Sequence, residues 1–172
     1  PAGKAFMPLE VELKYRVTDF SSLIGVLSRS GAEPVHHEAP ETNVILDTPD
    51  GSIRSSGWLL RLREYDGKAS VTVKEPLQSG PAKSRMEHDM DLPGSFSDYL
   101  RVFRAAGCLP VYKYEKLREI WDFQEAHICL DSLHFGKFVE VEAESVEEVY
   151  RVSRALGLNP EEGIKESYGA LE

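Results

Sequence analysis

The stretch Leu9 to Val17, LEVELKYRV, alternates without a break: Val11, Leu13, Tyr15 and Val17 share one parity, and Glu10, Glu12, Lys14 and Arg16 share the other. Side chains of a strand point alternately to its two faces, so a strand here has one apolar face and one face made wholly of full charges. The pattern recurs along the chain. Arg61 and Arg63 alternate with Leu60 and Leu62, Thr72 and Lys74 with Val71 and Val73, and Arg85, Glu87 and Asp89 with Met86 and Met90. Lys116 and Arg118 flank Leu117, Asp131 alternates with Ile128 and Leu130 by parity, and Glu140 and Glu142 alternate with Val139 and Val141. This is strand periodicity, and it limits the fold to a sheet whose second face must be reconciled with charge.

Turn residues punctuate the series at Pro49-Asp50-Gly51, Asp66-Gly67, Gly80-Pro81, Pro93-Gly94 and Gly136. Helices interrupt it. Thr18 or Asp19 can cap one through Leu23, Val26 and Leu27 that stops near Gly31, and Ser97 can cap one through Leu100 and Phe103 that ends at Gly107. Ser145 to Leu156 and Pro160 to Leu171 are expected to form two more. Antiparallel strands with a few helices make an α+β domain. At 172 residues, 41% hydrophobic, the chain has room for one core, and we expect one domain over 7–172, with 1–6 a cloning remnant ahead of a start at Met7.

No run approaches a membrane span, and no secretory leader is evident, so a cytoplasmic protein with no membrane partner is expected. The two cysteines, Cys108 and Cys129, read as reduced, packed thiols. A net charge of −9 argues against a nucleic-acid partner. A small anion remains open to a site that concentrates bases, and a homodimer through a sheet edge or helix face is left open.

A half-exposed sheet would turn each charged face to water. Solvated faces, however, mix Ser, Thr and Gln with longer polar residues, whereas these faces are almost purely Glu, Asp, Lys and Arg. The helices also need an apolar sheet face to cover. If the sheet closes on itself with helices outside, the charges line a lumen. There they must meet water, each other or a ligand, because an unpaired buried ion costs several kcal/mol. Lys14, Arg61, Arg63, Lys74, Arg85, Lys116 and Arg118 suit a polyphosphate. Glu10, Glu12, Asp131, Glu140 and Glu142 are hard oxygen ligands suited to Mg²⁺ or Mn²⁺. Acids for a metal and bases for phosphate is the division that metal-assisted phosphoryl transfer requires.

In this order the residues resemble a known family. Glu10-Val11-Glu12-Leu13-Lys14 is similar to the ExExK signature of the CYTH domain, or triphosphate tunnel metalloenzymes, which include class IV adenylate cyclases, thiamine triphosphatases and inorganic triphosphatases. NVILDTPD, LRLRE, VTVKEP, SRMEHD, EKLRE, LDSLHFGKFVEVE and KESYGAL follow in the family's order from Leu9 nearly to the end. The resemblance implies a closed antiparallel eight-stranded β-tunnel with helices packed on the outside, a small-molecule triphosphate within, and one or two divalent ions as cofactor. It also implies a closing helix whose Lys165 reaches the tunnel. Ile45 and Leu46 depart from the family's usual aromatic residues. The run Gly57-Trp58-Leu59-Leu60-Arg61-Leu62-Arg63 departs from the cyclases' pattern and argues against cyclisation.

Trp58 shares the outward parity of Leu60 and Leu62, which leaves no obvious platform for an organic ring and favours tripolyphosphate. Hydrolysis of thiamine or nucleoside triphosphate, cyclisation of ATP and a sensor that binds without turnover are the alternatives. The proton is assigned to Lys14, to Lys165 or to a water on the ion. Glu87 is expected to orient neighbouring bases. Gly80 to Ser84 reads as a hairpin turn, His36-His37 as a surface loop, His88 as packing, His127 as a rim or lining residue, and Tyr112 and Tyr114 as packing. Arg16 and Asp89 have inward parity near strand ends, where the rim is as good a reading as the site.

Overall fold

A computed structural model describes residues 9–172, so the expected remnant at 1–6 lies outside the described residues. Eight strands are present: β1 (Leu9–Val17), β2 (Pro34–Asp47), β3 (Leu59–Tyr65), β4 (Lys68–Lys74), β5 (Lys83–Leu92), β6 (Leu109–Phe123), β7 (Ala126–Leu133) and β8 (Gly136–Ala143). All pairings are antiparallel, and they close into a barrel in the order β1-β5-β4-β3-β2-β6-β7-β8. The alternating segments of the sequence are these strands, and the closed α+β barrel is the fold expected.

The helices are α1 (Ser21–Arg29), α2 (Ser52–Ser55), α3 (Phe96–Ala105), α4 (Val146–Ala155) and α5 (Tyr168–Leu171). Helices α1, α3 and α4 cover outer apolar faces, whereas Tyr168 of α5 packs on Leu133 and Phe138, which have the parity of the lumen residues Asp131 and Glu140. Leu23 and Leu27 of α1 and Val149 and Val152 of α4 pack on Val11, Leu13 and Tyr15 of β1, Ile128 and Leu130 of β7, and Val139 and Val141 of β8. Phe96, Tyr99, Leu100 and Phe103 of α3 pack on Val44, Leu46 and Leu62. The two larger hydrophobic clusters therefore lie outside the barrel, and polar residues fill most of its inside, with Leu133, Phe138 and Tyr168 forming a smaller apolar cluster on lumen parity. The outer face of β6 is less covered: Leu109, Val111 and Leu117 are exposed. No helix among the described residues is long and apolar enough to cross a membrane.

Local signals account for most boundaries. Ser145 caps α4 by accepting the Glu148 amide at 3.2 Å while its hydroxyl donates to the Glu148 carboxylate at 2.9 Å, a reciprocal cap written in the sequence as Ser-x-x-Glu. Asp19 accepts the Ser21 amide at 2.8 Å at the start of α1. The cap residue of α3 is Ser95, two positions before the Ser97 expected, because Pro93-Gly94 already turns the chain.

The expected helix over 160–171 is a correction. Residues Pro160–Glu162 form one 3₁₀ turn, Ile164 bridges to Lys14, and only Tyr168–Leu171 are α-helical. Gly163, extended at ψ 128°, ends the first turn. His36 and His37, expected in a loop, instead lie on the irregular opening of β2, where the register to β6 shifts twice before Ala39.

Candidate active site

The strand order gives the lumen two opposed walls. β1 and β8 pair on one side; β3 and β2 pair on the other, reached through β5 and β4 in one direction and through β7 and β6 in the other. The first wall is acidic. Register sets Glu12 beside Glu142 and Lys14 beside Glu140, and inward parity adds Glu10. Arg61 and Arg63 project from the second wall, where Glu41 and Asn43 of β2 lie beside them. Lys74, Lys83, Arg85 and Glu87 line one flank; Lys116, Arg118 and Asp131 line the other.

On the acidic wall, Glu10, Glu12 and Glu142 each offer an oxygen, and the three lie within 4.8 Å of one another. Burial raises the Glu10 carboxyl well above its ordinary range, with Glu142, Glu87 and Glu12 adding to the shift against the pull of Lys74. Burial also raises Glu142 to about 7, with Glu140 and Glu12 adding to the effect and Arg118 opposing it. Glu12 differs, because Lys83 and then Lys14 outweigh its burial and hold it at about 2. Three crowded carboxylates, two of them resisting ionisation, are a donor set that a hard divalent cation would complete. The residues present therefore fit the ion that the sequence implied.

Asp131 and Glu140 were expected to join that set; neither is in the triad, and cations hold both, although Glu140 also lies within 4.8 Å of Glu142 and Cys129. Asp131 is fully buried and accepts from Arg118 Nε and Nη2, each at 2.6 Å, from Lys116 Nζ at 2.9 Å and from the Tyr168 hydroxyl at 2.7 Å. Glu140 pairs with Lys14 at 2.8 Å and with Arg118, and these cations hold its carboxyl well below the usual range despite burial. Arg118 and Lys116 are thus fixed by acids, as desolvated ions must be. Lys14 sits 4.3 Å above the Tyr168 ring, and Glu140 and Glu12 raise its pKa against burial. It is an ammonium, suited to hold or donate and not to accept a proton.

The base-bearing side keeps unused donors. Arg61 Nη2 donates to Thr72 at 3.1 Å and Arg63 Nε to Ser70 at 3.3 Å. The Nε atoms of Arg61 and Arg85 are buried without a hydrogen-bond partner. Buried unpaired N–H groups are costly, and these two lie on the lumen face, where an anionic oxygen would satisfy them. Lys74 pairs with Glu87.

Lys165 is not brought together with the rest. Its ammonium donates to the Gly80 carbonyl at 3.1 Å on the surface, because the Ile164–Lys14 bridge fixes the adjacent backbone and turns Lys165 toward the β4–β5 loop. Arg16 is a rim residue, donating to the Phe135 carbonyl at 3.1 Å, and Asp89 accepts from Thr72. His127 pairs with Asp122, and His88 lies 2.9 Å from Glu75. Trp58 is exposed and lines an outer groove of about 370 Å³ with Ser52, Ile53, Ser56, Leu60 and Val73, on the face its parity indicated.

Sequence reasoning missed three lumen residues. Glu41 is 1% exposed, 3.4 Å from Lys116, and Lys116 and Arg118 pull its carboxyl far down against burial. Asn43 donates to Glu41 at 2.8 Å. Lys83 pairs directly with Glu12. Inward parity running back from Ile45 could have found the first two. Lys83 shares the parity of Arg85 but was absorbed into the reading of Gly80 to Ser84 as a turn.

Comparison with known proteins yields a match of residues 8–168 to the CYTH domain family model. A protein of Methanocaldococcus jannaschii, provisionally named an adenylate cyclase, is 24% identical over 170 residues, covering 93% of this chain and 96% of its own. A Vibrio parahaemolyticus structure with a similar provisional name superposes with a TM-score of 0.83 at 23% identity, covering 95% of this chain and 97% of that one. A Hippeastrum protein, described as an adenylyl cyclase candidate with a dominant triphosphatase activity, superposes with a TM-score of 0.63 at 19% identity, over 94% of each chain.

Proposed function

The chain belongs to the CYTH domain family, and from that premise we propose that it is a divalent-cation-dependent triphosphatase whose substrate is inorganic tripolyphosphate. The observation that carries this reading is the pairing of opposite charge across and along the lumen: the Glu10, Glu12 and Glu142 carboxylates gather on one wall, with Arg61 on the opposite wall and Arg85 beside Glu10 in the ladder, and each of these arginines keeps an unpartnered Nε–H. The Hippeastrum relative's triphosphatase activity supports the reaction type. The outward, solvent-exposed Trp58 supports a substrate without a ring to stack.

Each group then has a task. Glu10, Glu12 and Glu142 would hold Mg²⁺ or Mn²⁺, which supplies Lewis-acid neutralisation of charge on the phosphate oxygens. Arg61, Arg63, Arg85 and Lys74 bind the anion and fix its long axis, converting a bimolecular encounter into an oriented one. Lys116 and Arg118, held by Asp131, Glu41 and Glu140, offer fixed N–H donors that need no reorganisation when charge develops on the departing phosphate. Lys14, kept protonated by Glu140, is placed to give a hydrogen bond to that charge. Lys165, outside the tunnel, has no part in this scheme.

Phosphate release from tripolyphosphate, thiamine triphosphate and ATP, measured in parallel with Mg²⁺, Mn²⁺ or EDTA, tests the reading. Turnover should be greatest on tripolyphosphate, abolished by EDTA, and reduced roughly 10²-fold or more in Glu12→Ala. Retained tight binding of tripolyphosphate without turnover on any substrate would replace the enzyme with a binding module. Preference for thiamine triphosphate or ATP would keep the chemistry and overturn the substrate.

A further inference from the structure

Lys83 opens β5 and sits directly across from Glu12 of β1 in the ladder. Its ammonium contacts Glu12 Oε1, and only 15% of its side chain is exposed. The other cation within 4.0 Å of Glu12 among the described residues, Lys14, is at that limit and is engaged by Glu140 at 2.8 Å. Lys83 is therefore the close partner of Glu12. Glu12 also belongs to the only group of three carboxylates that converge among the described residues. An ammonium is a donor without lone pairs; it cannot join a coordination shell, and it repels a cation brought to the carboxylate it holds. Its stem is long and flexible enough to let go.

We propose that Lys83 competes with the divalent cation for Glu12 and so sets the affinity of the tunnel for its ion. The inference rests on the metal role proposed for Glu12. It gives Lys83 a function opposite in sign to that of an ordinary supporting residue: neutralising it strengthens the binding of the ion. A purely structural role predicts weaker binding or none at all, so the direction of the change separates the two.

The test is titration of Mn²⁺ alone into the protein, by calorimetry and by the paramagnetic resonance signal of free Mn²⁺, for wild type, Lys83→Met, Lys83→Gln, Lys83→Arg and Glu12→Gln. The expected result is binding roughly tenfold tighter in Lys83→Met and Lys83→Gln, on the scale of changes made by neighbours of metal ligands, wild-type affinity in Lys83→Arg, and loss of binding in Glu12→Gln. Melting in EDTA identifies the neutral variants that fold, and two are included so that one suffices. If wild type binds Mn²⁺ and the folded neutral variants bind it equally or more weakly, the competition is overturned while the metal reading stands. If neither wild type nor any variant binds Mn²⁺, both fall.

Discussion

Among single residues, Glu41 shows how the lumen tolerates its charges. It is wholly buried beside Lys116 and within 4.0 Å of Arg118, and these cations keep it ionised although burial opposes them. Removing one member of a buried pair leaves the other uncompensated, so Glu41→Gln should destabilise by about 3 kcal/mol at pH 7. A carboxyl with a depressed folded pKa contributes stability above its unfolded value near 4.5 and loses it as pH falls through the folded value. Urea unfolding should therefore show the deficit of Glu41→Gln shrinking below pH 4.5; a deficit constant with pH would assign it to packing. The sequence did not reveal Glu41 because its outward neighbours, Pro40 and Thr42, are not the apolar residues that make alternation visible. Glu10, Glu12, Arg61 and Arg63 stood out for the converse reason, since Val or Leu flanks each charge. Parity assigns a face but not a partner, so it could not foretell that Asp131 and Glu140 would be committed to Arg118, Lys116 and Lys14.

At the scale of elements, β1 is paired along Leu9–Glu12 with β5 and from Val11 onward with β8. Beyond Glu12 its β5 side would be open, and Ile164 fills it, exchanging backbone hydrogen bonds with Lys14 at 3.1 and 2.7 Å. Gly163 makes that approach possible: a Cβ there would lie 2.8 and 2.9 Å from the methyls of the buried Leu13 and 3.0 Å from the Pro160 carbonyl. Gly163→Ala should cost about 1–3 kcal/mol of overpacking, read as a melting temperature lower by roughly 2–4 °C per kcal/mol. An unchanged melt would mean that the segment shifts without penalty. The expected helix over 160–171 concealed this strand-like contact, because Pro at a first turn signals a helix start while the pairing partner of Ile164 lies 150 positions away in the chain. The helices with clear apolar periodicity, α1 and the Ser145-capped α4, were legible; here tertiary pairing overrode propensity.

The whole molecule is a barrel with its larger hydrophobic clusters on the outside and its ionisable groups within. Between pH 5 and 8 the depressed lumen carboxyls, Glu12, Glu41 and Glu140, are ionised in both folded and unfolded chains and contribute no slope. Glu10 and Glu142, with raised pKa values, do contribute: their stabilisation is full below about 4.5 and is lost as pH rises through the folded values, which for Glu142 is about 7. In EDTA the melting temperature should therefore fall from pH 5 to pH 8, Mg²⁺ or Mn²⁺ should restore most at pH 8, and Glu142→Gln should flatten the slope. A slope unchanged by that substitution would remove Glu142 from the account. The pairing of β1 with β8 also bears on biosynthesis. The base-bearing wall comes from the middle of the chain, but the acidic wall joins the earliest barrel strand to the latest, so Glu10, Glu12 and Glu142 can converge only after a ribosome has released β8. Nascent chains halted before that point carry Arg61, Arg63 and Arg85 with Glu10 and Glu12 but without Glu142.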